Sequence, residues 1–296
     1  MNMKQLNLPV GTALGLLFSF MLCFSIPLSG AAEAPPAKQD LLAPLAQRLI
    51  KDGFNPEKIQ SLFAKEMVFF NPAGVSLFFI HSESSLNYDQ FSSSKSLDKA
   101  QKYMEEHKES LDKAQKLFGV DKTVITAIIL VETRLGTYLG KRTVINTLST
   151  MAALTDKALQ EKIWASIPDK KKPKRETFDK KVAKRSKWGY EELKALIRYS
   201  DREGIDPAEI KGSYAGAMGI SQFMPSNALT LGKDGNVDGR VDLFNHSDAI
   251  SSVANYLKHH GWKPGISRQQ QHKVLFRYNH SNYYVDALLK ISDKLK

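Results

Sequence analysis

The chain contains 296 residues, of which 42% are hydrophobic, 9% aromatic and 25% charged. This ordinary globular composition excludes a disordered tail, a collagen-like repeat and a polytopic membrane protein. The single cysteine excludes an intramolecular disulfide and a cysteine-based zinc site, and the net charge of +11 indicates a polyanionic partner: nucleic acid, an anionic membrane surface or an acidic polymer.

The N-terminal residues have the pattern of a secretory signal peptide. Lys4 supplies positive charge, residues 10–27 form an uncharged apolar stretch, and the tripeptide at 29–31 offers a small-residue cleavage site. We expect residues 1–31 to be a signal peptide, the alternative being an uncleaved anchor, and residues 32–296 to form the mature domain. Export to the periplasm or cell envelope argues against nucleic acid as the partner and favours an acidic envelope polymer.

Helical periodicity dominates the mature chain. Helices are predicted at residues 40–50 with Asp40 as N-cap, within 55–70, and at 97–117, 190–202 and 248–259, with a Ser- and Asn-rich loop at 82–96. Residues 121–132 are apolar on nearly every face, which fits either a buried helix or a parallel strand. Their length and the flanking helix-forming residues favour the helix.

Glu132 stands at the end of this apolar segment. A charged carboxylate is costly to bury, so desolvation is expected to raise its pKa, as a carboxylic acid that donates a proton near neutral pH requires. The alternative is a structural ion pair with Arg134 or Arg142. The position alone leaves both interpretations open.

Residues 162–187 carry most of the net charge. They hold eleven Lys or Arg against three acids, an excess of +8. We expect a solvated, partly mobile loop or a helical hairpin, anchored at its ends by Trp164 and Trp188. The segment is either a plain surface insertion or an electrostatic contact for an acidic polymer.

Two loops carry polar residues in patterns that suit ligands. The Gly-rich stretch at 212–226 lets a ligand approach the backbone closely, although tight helix packing explains it as well. The sequence DGNVDG at 234–239 matches the first half of an EF-hand calcium loop, with Asn245 where a glutamate is usual and Asp248 placed to close an enlarged loop. The alternative is an ordinary Asp/Asn/Gly turn.

Four motifs, taken together and in this order, resemble the membrane-bound lytic murein transglycosylase B family. They are VETRLG at 131–136, GSYAGAMGISQFMPS at 212–226, DAISSVANYLKHHGW at 248–262 and RYNHSNYY at 277–284. The resemblance implies a mainly α fold, a lysozyme-like helical catalytic core with an EF-hand-like calcium loop. It also implies cleavage of the β-1,4 bond between MurNAc and GlcNAc in peptidoglycan, leaving a 1,6-anhydroMurNAc end.

The resemblance also assigns roles to residues. Glu132 is similar to the family's single catalytic acid/base. The residues implied to bind the glycan are Ser213, Gln222, Tyr256, Tyr278, Asn279, Tyr284 and Tyr88. The residues implied to hold a structural calcium ion are Asp234, Asn236, Asp238, Arg240 through its carbonyl, and Asp248. No organic cofactor is implied, and the basic segment lies outside the family pattern.

The implied chemistry is consistent with one carboxylate. Most glycosidases need two carboxylates, but here the muramic C6 hydroxyl would attack C1 while Glu132 serves first as acid and then as base. A hydrolytic muramidase would need a second acid, for which Asp201 and Glu203 are the candidates. A non-catalytic peptidoglycan-binding module would not need a glutamate on an apolar helix.

Overall fold

The computed structural model describes residues 40–80 and 87–296. The predicted signal peptide, with Cys23, lies outside these residues, as does part of the predicted 82–96 loop. Across the described ranges, no helix combines the length and apolarity needed to cross a membrane.

Short helices build the first part of the described chain: α1 (Ala43–Lys51), α2 (Pro56–Ala64), α3 (Pro72–Ile80), α4 (Ser94–Glu106), α5 (Lys108–Phe118), α6 (Lys122–Thr133), α7 (Val144–Ala152) and α8 (Lys157–Ala165). Polar residues fix several helix starts, as where the Asn55 side chain accepts the Lys58 amide at 2.9 Å. The N-cap of α1 is Leu42, not Asp40. Asp40 instead accepts the Leu42 amide at 3.1 Å and so shapes the turn before the helix.

The later part contains α9 (Arg175–Glu203), α10 (Pro225–Leu231), α11 (His246–His259), α12 (Arg268–Tyr278) and α13 (Asn282–Lys294). Among the described residues the only sheet is one antiparallel pair, β1 (Arg142–Thr143) and β2 (Lys211–Gly212), with Arg142 opposite Gly212. Single-turn 3₁₀ helices lie at Asp89–Ser92, Ala153–Thr155 and Asp169–Lys171. The mainly α prediction is confirmed.

Helix α6 is the centre of the core. Residues 123–130 are all buried, and α4, α5, α11 and α13 pack around them. A helix that is apolar on every face is stable only when it is enclosed in this way, which explains its uniform hydrophobicity. The prediction of a helix rather than a strand is therefore confirmed.

The predicted helix at 97–117 is two helices. The chain breaks at His107, whose φ of −109° and ψ of 25° end α4 and begin α5. The His107 ring packs on those of Tyr103 and His246, with centroids 4.3 and 4.4 Å away, and these two rings also contact each other at 5.4 Å. The single-helix prediction was wrong because these ring contacts, and no local Gly or Pro, place the break.

The basic segment adopts the hairpin alternative. The hairpin consists of helix α8, a 3₁₀ turn and the first half of α9. On α9, the side chains of Phe178 and Val182 are fully buried. Trp164 packs on Phe178 at 5.0 Å between centroids, and Trp188 packs on Phe78 at 6.0 Å, so both tryptophans anchor the segment as expected. The predicted helix at 190–202 is the continuation of α9.

Candidate active site

Glu132 lies half-buried in the last turn of α6, immediately before a constrained turn. Arg134 and Leu135 both have left-handed backbone, with φ of 50° and 62°. Such non-glycine residues cost about 1–3 kcal/mol each and persist only where the surroundings enforce them. Here the buried Thr133 hydroxyl does so, since it donates to the Ile220 carbonyl at 2.9 Å and accepts the Gly136 amide at 3.0 Å.

Tyr284 positions the Glu132 carboxyl group directly. Its hydroxyl donates to Glu132 Oε1 at 2.6 Å, and its side chain is 1% exposed. Burial, and then the charge of Glu132, raise the pKa of Tyr284 well above its usual value. The phenol therefore stays protonated and serves as a fixed hydrogen-bond donor.

A row of tyrosines extends from this hydrogen bond. Tyr88 meets the Tyr284 ring edge-on at 6.1 Å between centroids, and the Tyr278 ring lies nearly parallel to that of Tyr284 at 6.5 Å. Tyr256 packs behind Tyr278 at 4.9 Å and donates to the Arg277 carbonyl at 2.7 Å. Four of the seven predicted glycan-binding residues are thus brought together with Glu132. Tyr256 is only 5% exposed, so what it contributes is mainly the packing of Tyr278.

The Gly-rich loop joins the site through backbone contacts. Tyr278 donates to the Ser221 carbonyl at 2.6 Å, and the next residue, Gln222, has a left-handed φ of 50°. The Gln222 amide nitrogen donates to the Gly219 carbonyl at 2.9 Å, which holds the side chain along the loop. Ser213 lies at the other end of the loop, where its hydroxyl oxygen accepts the amides of Ala215 and Ala217.

Asn279 follows Tyr278 at the C-terminus of α12. The side chain is half-buried, and within the described residues it makes no hydrogen bond. Ser213 and Asn279 therefore lie on the elements that carry Gln222 and Tyr278. The Ser213 hydroxyl contacts the backbone of its own loop, and the Asn279 backbone amide contacts the Leu275 carbonyl at the end of α12.

Glu192 is a residue that the sequence analysis missed. It is 6% exposed and accepts both the amide and the hydroxyl of Ser226, at 3.0 and 2.9 Å, which fixes the start of α10 just after the Gly-rich loop. Burial raises its pKa. Its spacing with Leu196 and Tyr199 places it on the inward face of α9, and this helical periodicity could have identified it.

The two candidates for a second catalytic acid serve other contacts. Asp201 pairs with Lys58 at 2.6 Å on the surface. Glu203 is buried, pairs with Arg202 and accepts the Val241 amide at 2.8 Å. These contacts give Asp201 and Glu203 structural roles. Neither residue therefore supports the muramidase alternative, which requires a second catalytic acid.

The segment from Asp234 to Asp248 forms a loop ordered by its own carboxylates. Asp234 accepts the amides of Val237, Asp238 and Gly239 at 2.6, 3.2 and 2.8 Å. Asp248 is fully buried and accepts the amides of Gly235, Asn236 and Asp242 at 2.8, 3.3 and 2.7 Å. Burial, together with the charge of Asp234, raises the pKa of Asp248.

This donor set fits calcium in its chemistry, because carboxylate, amide and carbonyl oxygens are the ligands that a hard cation prefers. The Asn236 amide already contacts Asp238 at 2.8 Å, so these two predicted ligands lie side by side. Over the described part of the chain, however, no three His, Cys, Asp or Glu side chains are gathered into one metal-binding group. The loop is already folded, and the carboxylates of Asp234 and Asp248 accept hydrogen bonds from backbone amides.

The described chain thus combines a helical fold with a half-buried glutamate beside a row of tyrosines, and comparison with known proteins identifies its class. A family model described as the transglycosylase SLT domain matches residues 37–271, and the chain belongs to this family. It is 32% identical over 163 residues to the membrane-bound lytic murein transglycosylase B of Escherichia coli (strain K12), a match that covers 55% of this chain and 38% of that protein.

Solved structures share the fold. The soluble lytic transglycosylase SltB1 of Pseudomonas aeruginosa superposes with a TM-score of 0.70 at 23% identity, covering 86% of this chain and 97% of that one. For Escherichia coli Slt35 in complex with calcium, the TM-score is 0.66 at 21% identity, covering 86% and 92%. For Pseudomonas aeruginosa SltB3 in complex with NAG-anhNAM-pentapeptide, it is 0.68 at 18% identity, covering 87% and 80%.

Proposed function

We propose that this protein is a peptidoglycan lytic transglycosylase. It cleaves the β-1,4 bond between MurNAc and GlcNAc and leaves a 1,6-anhydroMurNAc end, with Glu132 as the single acid/base. The observation that carries the proposal is the 2.6 Å hydrogen bond from the buried Tyr284 to Glu132 Oε1, since it orients one carboxyl group at the end of an enclosed helix. Family membership supports the same activity.

The proposed reaction uses Glu132 twice. The carboxylic acid first donates its proton to the glycosidic oxygen as the C1–O4 bond breaks, and GlcNAc leaves with a free 4-hydroxyl. The carboxylate then accepts the proton of the muramic C6 hydroxyl as its oxygen bonds to C1. No water is consumed, so one carboxylate suffices. Tyr278 and Gln222 are proposed to contact the sugar, and their hydrogen bonds to the Ser221 and Gly219 carbonyls support this by fixing both side chains at the Gly-rich loop.

Substitution of Glu132 tests the assignment. Glu132→Gln preserves the shape and the contact with Tyr284 but removes the proton donor, and general acid–base catalysis is worth about 10²–10⁴ in rate. We expect loss of sacculus digestion, with unchanged circular dichroism and glycan binding. The matched control is Glu105→Gln, at an exposed position on α4. If a folded Glu132→Gln variant keeps more than about a tenth of wild-type turnover, Glu132 is structural.

The loop from Asp234 to Asp248 is proposed to hold one structural calcium ion. The residues that would hold it are Asp234, Asn236, Asp238, Arg240 through its carbonyl, and Asp248. The folded loop and the hard-oxygen donor set support this, and a calcium complex exists for the structural neighbour Slt35. The ion would supply charge compensation for the buried Asp248 and so stabilise the start of α11.

The protein is proposed to be exported to the periplasm or cell envelope and to act on peptidoglycan strands there. The signal-peptide pattern of residues 1–31 supports export. The basic helical hairpin supports peripheral attachment to acidic envelope polymers, because Lys181, Lys184 and Lys187 on α9 are exposed.

A further inference from the structure

A cavity lies beside the C-terminal end of α6. It is a cavity of about 490 Å³, lined by the 3₁₀ helix at 89–92, by α4 with His107, by the turn after α6 and by His246. Leu130 lines it from α6, and Arg134 lines it from the turn that follows the helix. At 100° per residue, Glu132 is about 160° around the helix from Leu130, so this cavity and the candidate active site lie on opposite sides of the same helix end.

Cations dominate the rim of this cavity. Lys99, Lys102 and Arg134 line it, with Glu106 as the one carboxylate among the lining residues. Lys102 pairs with Glu106 at 3.5 Å on the exposed face of α4. Over the described ranges Lys99 makes no ion pair or hydrogen bond, and Arg134 makes only a long one, 3.4 Å to Gln90 Oε1. Two of the three cations therefore have most of their donors available.

The floor of the cavity is rigid and polar. Tyr103 is 4% exposed, and its hydroxyl oxygen lies 3.0 Å from His246 Nδ1. His107 stacks on His246 with 22° between the ring planes. Gly136 packs closely on the same ring, since a Cβ at this position would lie 2.8 Å from His246 Cε1. A cationic rim over ordered ring nitrogens is a suitable receptor for carboxylates.

We infer that this cavity binds the carboxylates of the peptide stem on the glycan strand that occupies the neighbouring cleft. The inference rests on the proposed function, because the stem is attached to the muramic sugar. The 3₁₀ helix joins the two sites, as Tyr88 before it contacts Tyr284 while Gln90 within it contacts Arg134. Four or five extended residues of a stem span about 13–18 Å, which matches the roughly 14–17 Å path around 160° of a helix 10–12 Å across.

Binding of a free peptide tests the inference without requiring any cleavage. The probe is a synthetic stem tetrapeptide with free carboxylates, titrated into the full chain by calorimetry, beside the same peptide with every carboxylate amidated. We expect the amidated peptide to bind at least tenfold more weakly. Lys99→Ala with Lys102→Ala should weaken the acidic peptide about tenfold, the product of two exposed ion pairs. Glu106→Gln should tighten it, an effect that a merely structural role would not produce.

Lys116→Ala, on the exposed face of α5 and outside the cavity, is the matched control and should leave binding unchanged. Equal affinity for both peptides, or equal affinity in the wild type and the double lysine variant, would overturn the inference. Turnover on peptide-free glycan separates the two proposals. The double variant should retain it, and its absence in the wild type would count against the proposed function, not against the cavity.

Discussion

Removal of one hydroxyl group, in Tyr284→Phe, gives the most specific prediction about the site. The hydroxyl lies 2.6 Å from Glu132 Oε1, a short contact typical of a bond to a charged oxygen. Hydrogen bonds to charged groups are worth about 1.5–3 kcal/mol. If that energy holds the carboxyl group in its reactive orientation, kcat should fall by about 10- to 100-fold. The fold should survive, because the ring keeps its packing against Tyr88 and Tyr278.

The chain supplies a matched control at the preceding position. Tyr283 lies on the same helix, is 67% exposed, and undergoes the same chemical change in Tyr283→Phe. The assay is solubilisation of labelled sacculi over a range of substrate concentrations, beside thermal unfolding of each variant. We expect a loss in kcat with little change in KM for Tyr284→Phe and neither effect for Tyr283→Phe. Equal turnover of the two folded variants would refute the positioning role.

Three further predictions concern the rest of the molecule. Excess calcium should raise the Tm of the wild type relative to chelator, and Asp238→Ala should abolish the difference; a thermal scan indifferent to calcium in both proteins would contradict the metal site. Burial raises the pKa of Tyr256 to about 12. Both states hold this proton below pH 10, but above it the unfolded chain loses the proton first. The free energy of unfolding should therefore fall from pH 10 towards 12 by about 1.4 kcal/mol per unit from this group, and denaturant titrations of Tyr256→Phe should show a shallower fall; an identical slope would contradict it. Changing Lys181, Lys184 and Lys187 to Gln should weaken sacculus pull-down at low salt and much less at high salt, with turnover of a soluble glycan unchanged; equal pull-down at low salt would exclude the electrostatic contact.

Local patterns were sufficient for the elements whose environment is uniform. The apolar residues of α6 predict a buried helix because every face is enclosed, and the terminal glutamate stands out against them. The four motifs likewise identified Tyr284 and Tyr278, which the structure brings to Glu132 through contacts that no single motif predicts.

The features that depend on tertiary contacts could not be predicted in this way. The break at His107 is determined by rings from α4 and α11, which lie far apart in sequence. In the basic segment, the many charged residues obscure the buried face of the hairpin. That face is marked only by Phe178 and Val182, which are spaced i, i+4. Glu192 was missed because a carboxylate on a helix is usually exposed; periodicity places it on the buried face of α9, but its contact with Ser226 is a tertiary feature.

The central claim, that Glu132 transfers a proton within an intramolecular reaction, is tested most directly by the mass of the products. Purified sacculi are digested with the wild-type protein, with Glu132→Gln as the blank, and the new glycan ends are measured by mass spectrometry. The account predicts that every new muramic end is lighter than its hydrolytic counterpart by one water, because the C6 hydroxyl takes the place of water. New ends that carry the added water would contradict it and would identify a muramidase instead.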